Sequence, residues 1–115
     1  MKKGDCFERS GNAILNPARM LRGLCQLDGW QLAHGIVTGT GGAVRGRRYA
    51  HAWVENDFLV FNADSGDVVP RPLFYFAGKV EDVFRYSPEE ARRLMLKHEH
   101  YGPWEDLLYA DDLAG

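Results

Sequence analysis

From Tyr49 to Asp64 the chain reads Tyr-Ala-His-Ala-Trp-Val-Glu-Asn-Asp-Phe-Leu-Val-Phe-Asn-Ala-Asp. Apolar and aromatic residues fill both flanks of the polar pair Asn56-Asp57, which is of the kind that closes two-residue hairpins. The pattern predicts two short antiparallel strands. With the turn at Asn56-Asp57, Glu55 pairs with Phe58, Trp53 with Val60 and His51 with Asn62. Directly opposed side chains lie about 5 Å apart at Cβ, so this register sets an imidazole beside a carboxamide on one sheet face.

The same reading extends along the chain. Gly4-Asp5-Cys6-Phe7 predicts a helix start, with Asp5 as N-cap and Cys6 at the first helical position. That helix runs to about Leu15 and buries Phe7, Gly11, Ile14 and Leu15, with Gly11 admitting a close neighbour. Asn16-Pro17 starts a second helix, with Met20, Leu21, Leu24 and Cys25 toward the core and Asp28-Gly29 ending it. Trp30 to Thr38 predicts a strand with Trp30, Leu32, His34, Ile36 and Thr38 on one face. The glycines Gly39, Gly41 and Gly42 predict a mobile hairpin loop leading to Arg45, Arg47 and Arg48. They lack the Lys-Ser/Thr of a phosphate loop and open no helix. Asp64 to Asp67 predicts a turn, and Pro70 and Pro72 bracket an irregular crossing. Leu73 to Ala77 is a short helix or a buried segment, and Val80 to Tyr86 is a last strand. Ser87-Pro88-Glu89-Glu90 combines a capping box with Pro at the first position and opens a helix to about His98. Trp104 to Leu108 forms one more turn before an acidic tail. The fold class is therefore α+β, with N-terminal helices on a mainly antiparallel sheet of about four strands and a C-terminal helix, in a single domain spanning 1–115.

Composition narrows the function more than the fold. The 115 residues carry a formal net charge of -2, with 45% hydrophobic and 26% charged side chains. No basic excess supports nucleic-acid or membrane-surface binding, and no apolar run approaches the roughly 18 residues of a span. No apolar stretch follows Lys2-Lys3, so no signal peptide is expected. A cytoplasmic location and reduced thiols at Cys6 and Cys25 follow.

The chemistry expected is nucleophilic. A thiol in a first helical turn feels the positive end of the helix, which favours thiolate. An imidazole can take its proton, and a third group can fix the ring. Cys6, His51 and Asn62 form that set, with Asp64 as the rival third member because it lies diagonal to His51 with the same facing. Each residue also has a plainer reading: Cys6 as a small buried hydrophobe, His51 as a structural histidine, Asn62 as a strand-end cap. Trp53 and His34 are expected beside the site, and Arg45, Arg47 and Arg48 are placed to receive a carboxylate or to keep a sheet edge soluble. His98 and His100 complement the last helix's dipole. No pair among Cys6, Cys25, His34 and His51 has ligand-like spacing, so no metal and no cofactor is expected.

Gly4-Asp5-Cys6-Phe7, His51-Ala52-Trp53-Val54-Glu55 and Val60-Phe61-Asn62 together resemble the papain-like and transglutaminase-like cysteine-enzyme superfamily. In it a cysteine on a helix start is followed by a histidine on one strand and Asp or Asn on the next. Tyr86-Ser87-Pro88-Glu89-Glu90-Ala91 and His100-Tyr101-Gly102-Pro103-Trp104 narrow the resemblance to small bacterial and phage members. The resemblance implies a cysteine hydrolase or acyltransferase. Such an enzyme acts on an amide, isopeptide or thioester of a protein or peptide-like substrate, through an acyl-Cys6 intermediate. Two features depart from the pattern. No glutamine precedes Cys6 to serve an oxyanion, and Asn62 stands where transglutaminase-like domains carry aspartate. The alternative is a non-catalytic binding or inhibitor module on the same fold.

Overall fold

A computed structural model describes residues 5–16, 29–42, 45–63, 65–105 and 108. Their elements are α1 (Asp5–Leu15), β1 (Gln31–Thr38), β2 (Arg48–Glu55), β3 (Leu59–Asn62), β4 (Asp67–Pro70), α2 (Arg71–Ala77), β5 (Glu81–Tyr86) and α3 (Pro88–His98). The α+β expectation holds, but the sheet has five strands rather than four, in the order β4-β3-β2-β1-β5, with every pairing antiparallel. The extra strand is β4. Its Asp67-Val68-Val69-Pro70 is too short to show a period, and Pro70 tolerates its place because β4 is an edge strand. The second helix expected from Asn16-Pro17, and the tail beyond Leu108, lie outside the described residues.

The central strand separates two layers. On β2 the even residues Ala50, Ala52 and Val54 pack under α1 and α3, with Phe7, Ile14, Leu32, Ile36 and Ala91. The odd residues face the other way, where Trp53 packs with Ala33, Val37 and Val60 under Phe74 and Tyr75 of α2. Alternation along a pleated strand dictates this division. α1 is held close by its glycine: a Cβ on Gly11 would lie 2.7 Å from Tyr101 Cδ1 and 2.9 Å from Met95 Cε. α3 begins as its sequence predicts, with the Ser87 side chain accepting from the Glu90 N–H and the Glu90 side chain accepting from the Ser87 N–H. The helical option at Leu73 to Ala77 is the one realised, though α2 has no buried residue.

The β2–β3 register differs from the expected one. Val54 pairs with Phe61 and Glu55 with Val60. Asn56 is not a central turn residue. Its side-chain Oδ1 accepts from the Phe58 N–H at 2.8 Å and the Leu59 N–H at 2.7 Å, and its own N–H donates to the Leu59 carbonyl at 3.0 Å. Such an Asx turn sets Asn56 at the turn's first position and moves the centre to Asp57-Phe58. Moving the centre by one residue shifts the pairing by two, so each side chain keeps its face while its partner changes.

One polar group organises the α2 layer. The Glu55 side chain is fully buried and accepts from Trp53 Nε1 at 2.8 Å, Arg85 Nε at 2.8 Å and the Tyr75 hydroxyl, with Arg71 NH2 at 3.4 Å. Burial and the neighbouring carboxylate push the Tyr75 phenol up to about 12. Replacing Glu55 with Ala leaves the Trp53 N–H and the Tyr75 hydroxyl without their acceptor and two partly exposed guanidinium groups without their carboxylate. We expect this variant to lose about 3–5 kcal/mol of stability, measured by urea denaturation, whereas Asn56→Ala should lose about 1–2 kcal/mol through the turn alone.

Candidate functional site

The residues expected to act together fall on both sides of the sheet. Cys6 lies in the first turn of α1, is buried, and packs with Phe7, Ile36, Ala50 and Ala52 on the α1 face. His51, between Ala50 and Ala52, projects to the α2 face, where its ring stands 5.8 Å from Tyr49 and 6.0 Å from Trp53. Asn62 follows the register to that same α2 face, diagonal rather than opposite to His51. Asp64 and Cys25 lie outside the described residues. The sheet thus separates Cys6 from both His51 and Asn62, and the reason is the strict two-residue alternation of β2.

The other expected residues are also placed. Trp53 is fully buried, its indole N–H on Glu55, so it is a core residue of the α2 layer. Arg48 donates from Nε to Glu81 at 2.9 Å, while Arg45 and Arg47 are exposed. The loop carrying them is tied at its base, with Gly39 N–H on the Arg47 carbonyl and Gly46 N–H on the Gly39 carbonyl, each at 2.9 Å. Residues 43 and 44 are outside the described set.

His34 is the histidine that shares the Cys6 face. It pairs across the sheet with Ala52, one of the residues against which Cys6 packs, and Ile36 follows it on the same face. Phe7, the neighbour of Cys6 on α1, sets its ring edge-on to His34 at a centroid distance of 4.8 Å. The His34 side chain is fully buried, and its Nδ1 lies 3.0 Å from Glu105 Oε2. The Glu105 carboxylate also accepts from the Tyr86 hydroxyl and from the Trp104 N–H. A carboxylate at Nδ1 favours a ring proton there, so that in the neutral tautomer Nε2 is the nitrogen that carries the lone pair. That Nε2 is buried with no hydrogen-bond partner. The Ser10 hydroxyl, one helical turn after Cys6 on α1, is buried and unpartnered as well. Beside His34 the β1–β5 ladder slips its register between His34 and Ile36, where Asp82 adopts φ 51°; such bulges re-aim side chains.

No protein-family model, curated protein or solved structure matches this chain. The site is therefore read from its own geometry. Among the described residues no group of three or more His, Cys, Asp and Glu side chains is arranged to hold a metal ion, and no helix is long and apolar enough to cross a membrane.

Sequence reasoning noticed His34 but not Glu105. The two are far apart along the chain, and the only local signal was the Trp104-Glu105 step after Gly102-Pro103. Burial works to raise the Glu105 carboxyl, but the His34 and Tyr86 hydrogen bonds outweigh it and hold it below the ordinary carboxylate range. The same contact and burial push the Tyr86 phenol up. A depressed carboxyl stabilises the fold above its ordinary titration range, and this contribution is lost as pH falls through its lowered value. Glu105→Gln should therefore cost about 2 kcal/mol near pH 7. The gap to wild type should close progressively on acidification, a trend checked by denaturant melts across the acid range.

Proposed function

We propose that this chain is a small thiol hydrolase or acyltransferase in which His34 and Glu105, rather than His51 and Asn62, serve Cys6. The observation that carries this reading is the His34 ring. Its Nδ1 is oriented by a buried carboxylate, its Nε2 is unbonded, and it stands on the face occupied by Cys6. A thiol is a weak nucleophile until a base takes its proton, and the base works best with its tautomer held by a third group. Cys6 attacks the carbonyl of an amide, isopeptide or thioester in a peptide-like substrate. His34 Nε2 accepts the thiol proton and returns it to the leaving group. Water, activated by the same nitrogen, then releases the acyl group from Cys6. Backbone N–H groups in the first turn of α1 are the natural donors to the oxyanion. A cytosolic compartment, which keeps thiols reduced, suits this chemistry.

A second reading has its own observation. Phe58, Leu73 and Phe76 are 73%, 55% and 84% exposed, and the Arg71 N–H on the Phe58 carbonyl joins the hairpin tip to the start of α2. Exposed apolar side chains gathered beside an edge strand fit a non-catalytic binding or inhibitor module.

The pH profile of Cys6 alkylation by iodoacetamide separates the two. An enzyme should show a midpoint below the ordinary thiol value of about 8.5. His34→Asn should return the profile to that value, and His51→Ala should leave it unmoved. An ordinary midpoint in the wild-type chain, or one that responds to His51 and not to His34, would sink the proposal and favour the binding module.

A further inference from the structure

We propose that the Ser10 hydroxyl is a positioning group for the Cys6 sulfur, donating a hydrogen bond to its thiolate form, an inference that rests on the thiol chemistry proposed above. Ser10 is fully buried, and its Oγ has no hydrogen-bond partner. A buried serine inside a helix can satisfy its hydroxyl on the carbonyl four residues back, and this one does not. Alanine would fill the same helical position without burying a polar group. The hydroxyl therefore calls for a role, and Cys6, one turn earlier on the same buried face of α1, supplies one.

The helix sets the distance. Residues four apart lie about 5–6 Å from each other at Cβ, and helical side chains lean toward the N-terminus, so Ser10 covers the turn that carries Cys6. Cys6 packs on Ala50 and Ala52, while Ile14 packs with Leu32 and Val54. Ser10 falls between these two contacts, over the row in which Ala52 pairs with His34. Ala52 has no polar side chain to offer it, and the His34 Nδ1 is taken by Glu105. A neutral thiol is a weak acceptor, whereas a thiolate is a strong one. Ionisation at this depth needs such a donor. Cys6 sits among Phe7, Ile36, Ala50, Ala52 and Leu108, and apolar burial opposes the charged form. Among the described residues, the titratable side chains on this face are His34 of β1, the Glu105 bonded to it, Tyr86 of β5 on that carboxylate, and Tyr101 packed against the Cys6 cluster. Glu8 and Arg9 of α1 are exposed. When the thiol proton passes to His34 Nε2, the imidazolium supplies an opposite charge and the Ser10 hydroxyl supplies a directed donor.

The pH profile of Cys6 alkylation by iodoacetamide tests this role, because its midpoint reports ionisation of the sulfur whatever the access to it. A hydrogen bond to the charged form lowers a pKa. Ser10→Ala should therefore raise the midpoint by about one unit, cutting the thiolate fraction near neutral pH by up to about tenfold. The same variant should unfold at the wild-type urea concentration or a higher one, since it deletes a hydroxyl that no group in the fold satisfies. A Ser10→Ala midpoint equal to a depressed, His34-dependent wild-type midpoint would overturn the role of Ser10 and leave the thiol site standing. A destabilised Ser10→Ala whose alkylation follows global unfolding would make Ser10 a structural residue and overturn the proposal too. An ordinary wild-type midpoint would overturn the thiol site and this inference with it. A midpoint moved by Ser10→Ala but not by His34→Asn would uphold the hydroxyl and overturn His34 as the base.

Discussion

Six consecutive residues of β2, Ala50 to Glu55, are buried, and the pleat sends neighbours among them to opposite sides. Everything else in the molecule is arranged around that division. Alanines at 50 and 52 leave room for α1 to lie close on one side, while Trp53 and Glu55 fill the other with one large ring and one charge. A strand buried on both faces leaves no latitude in register, because a slip by one residue would drive Glu55 under α1 and an alanine into the space of the indole.

Each layer is then centred on one buried acid. Glu55 collects donors from β2, α2 and β5, and Glu105 collects them from β1, β5 and its own segment. The two differ in kind. Around Glu55 the partners are an indole N–H, a phenol and two guanidinium groups. Around Glu105 one partner is an imidazole with a second nitrogen still unbonded, so that cluster has an open valence. The first arrangement fixes geometry, and the second is the one on which the proposed thiol chemistry draws.

Much of this was legible in the chain. The strong punctuation of Ser87-Pro88-Glu89-Glu90, the alternation from Leu32 to Thr38, and Gly11 at a close approach all report local rules, and the structure follows them. The placement of Cys6 in a first helical turn was equally readable. What the chain did not disclose depends on contacts between distant segments. The side of the sheet on which α1 docks cannot be read from β2, whose two faces are both buried, and that choice parts Cys6 from His51. The turn at Asn56-Asp57 misled for a subtler reason. Asparagine serves a turn either through its backbone at a central position or through its side chain at the first, and only the second option satisfies the Phe58 and Leu59 N–H groups here.

The pairing of β1 with β5 bears on how the chain assembles. β2 and β3 meet through a short turn, and β1 reaches β2 through one loop, but Leu32 finds Tyr86 only after three strands and a helix have intervened. Joining ends so distant costs more chain entropy than closing a hairpin, so this edge of the sheet is expected to form late. Tyr86 brings with it one of the hydroxyl groups that hold Glu105. The histidine on β1 is therefore in place within an early hairpin, while its carboxylate arrives with the final edge, and the polar centre comes into being only as the last seam of the molecule closes.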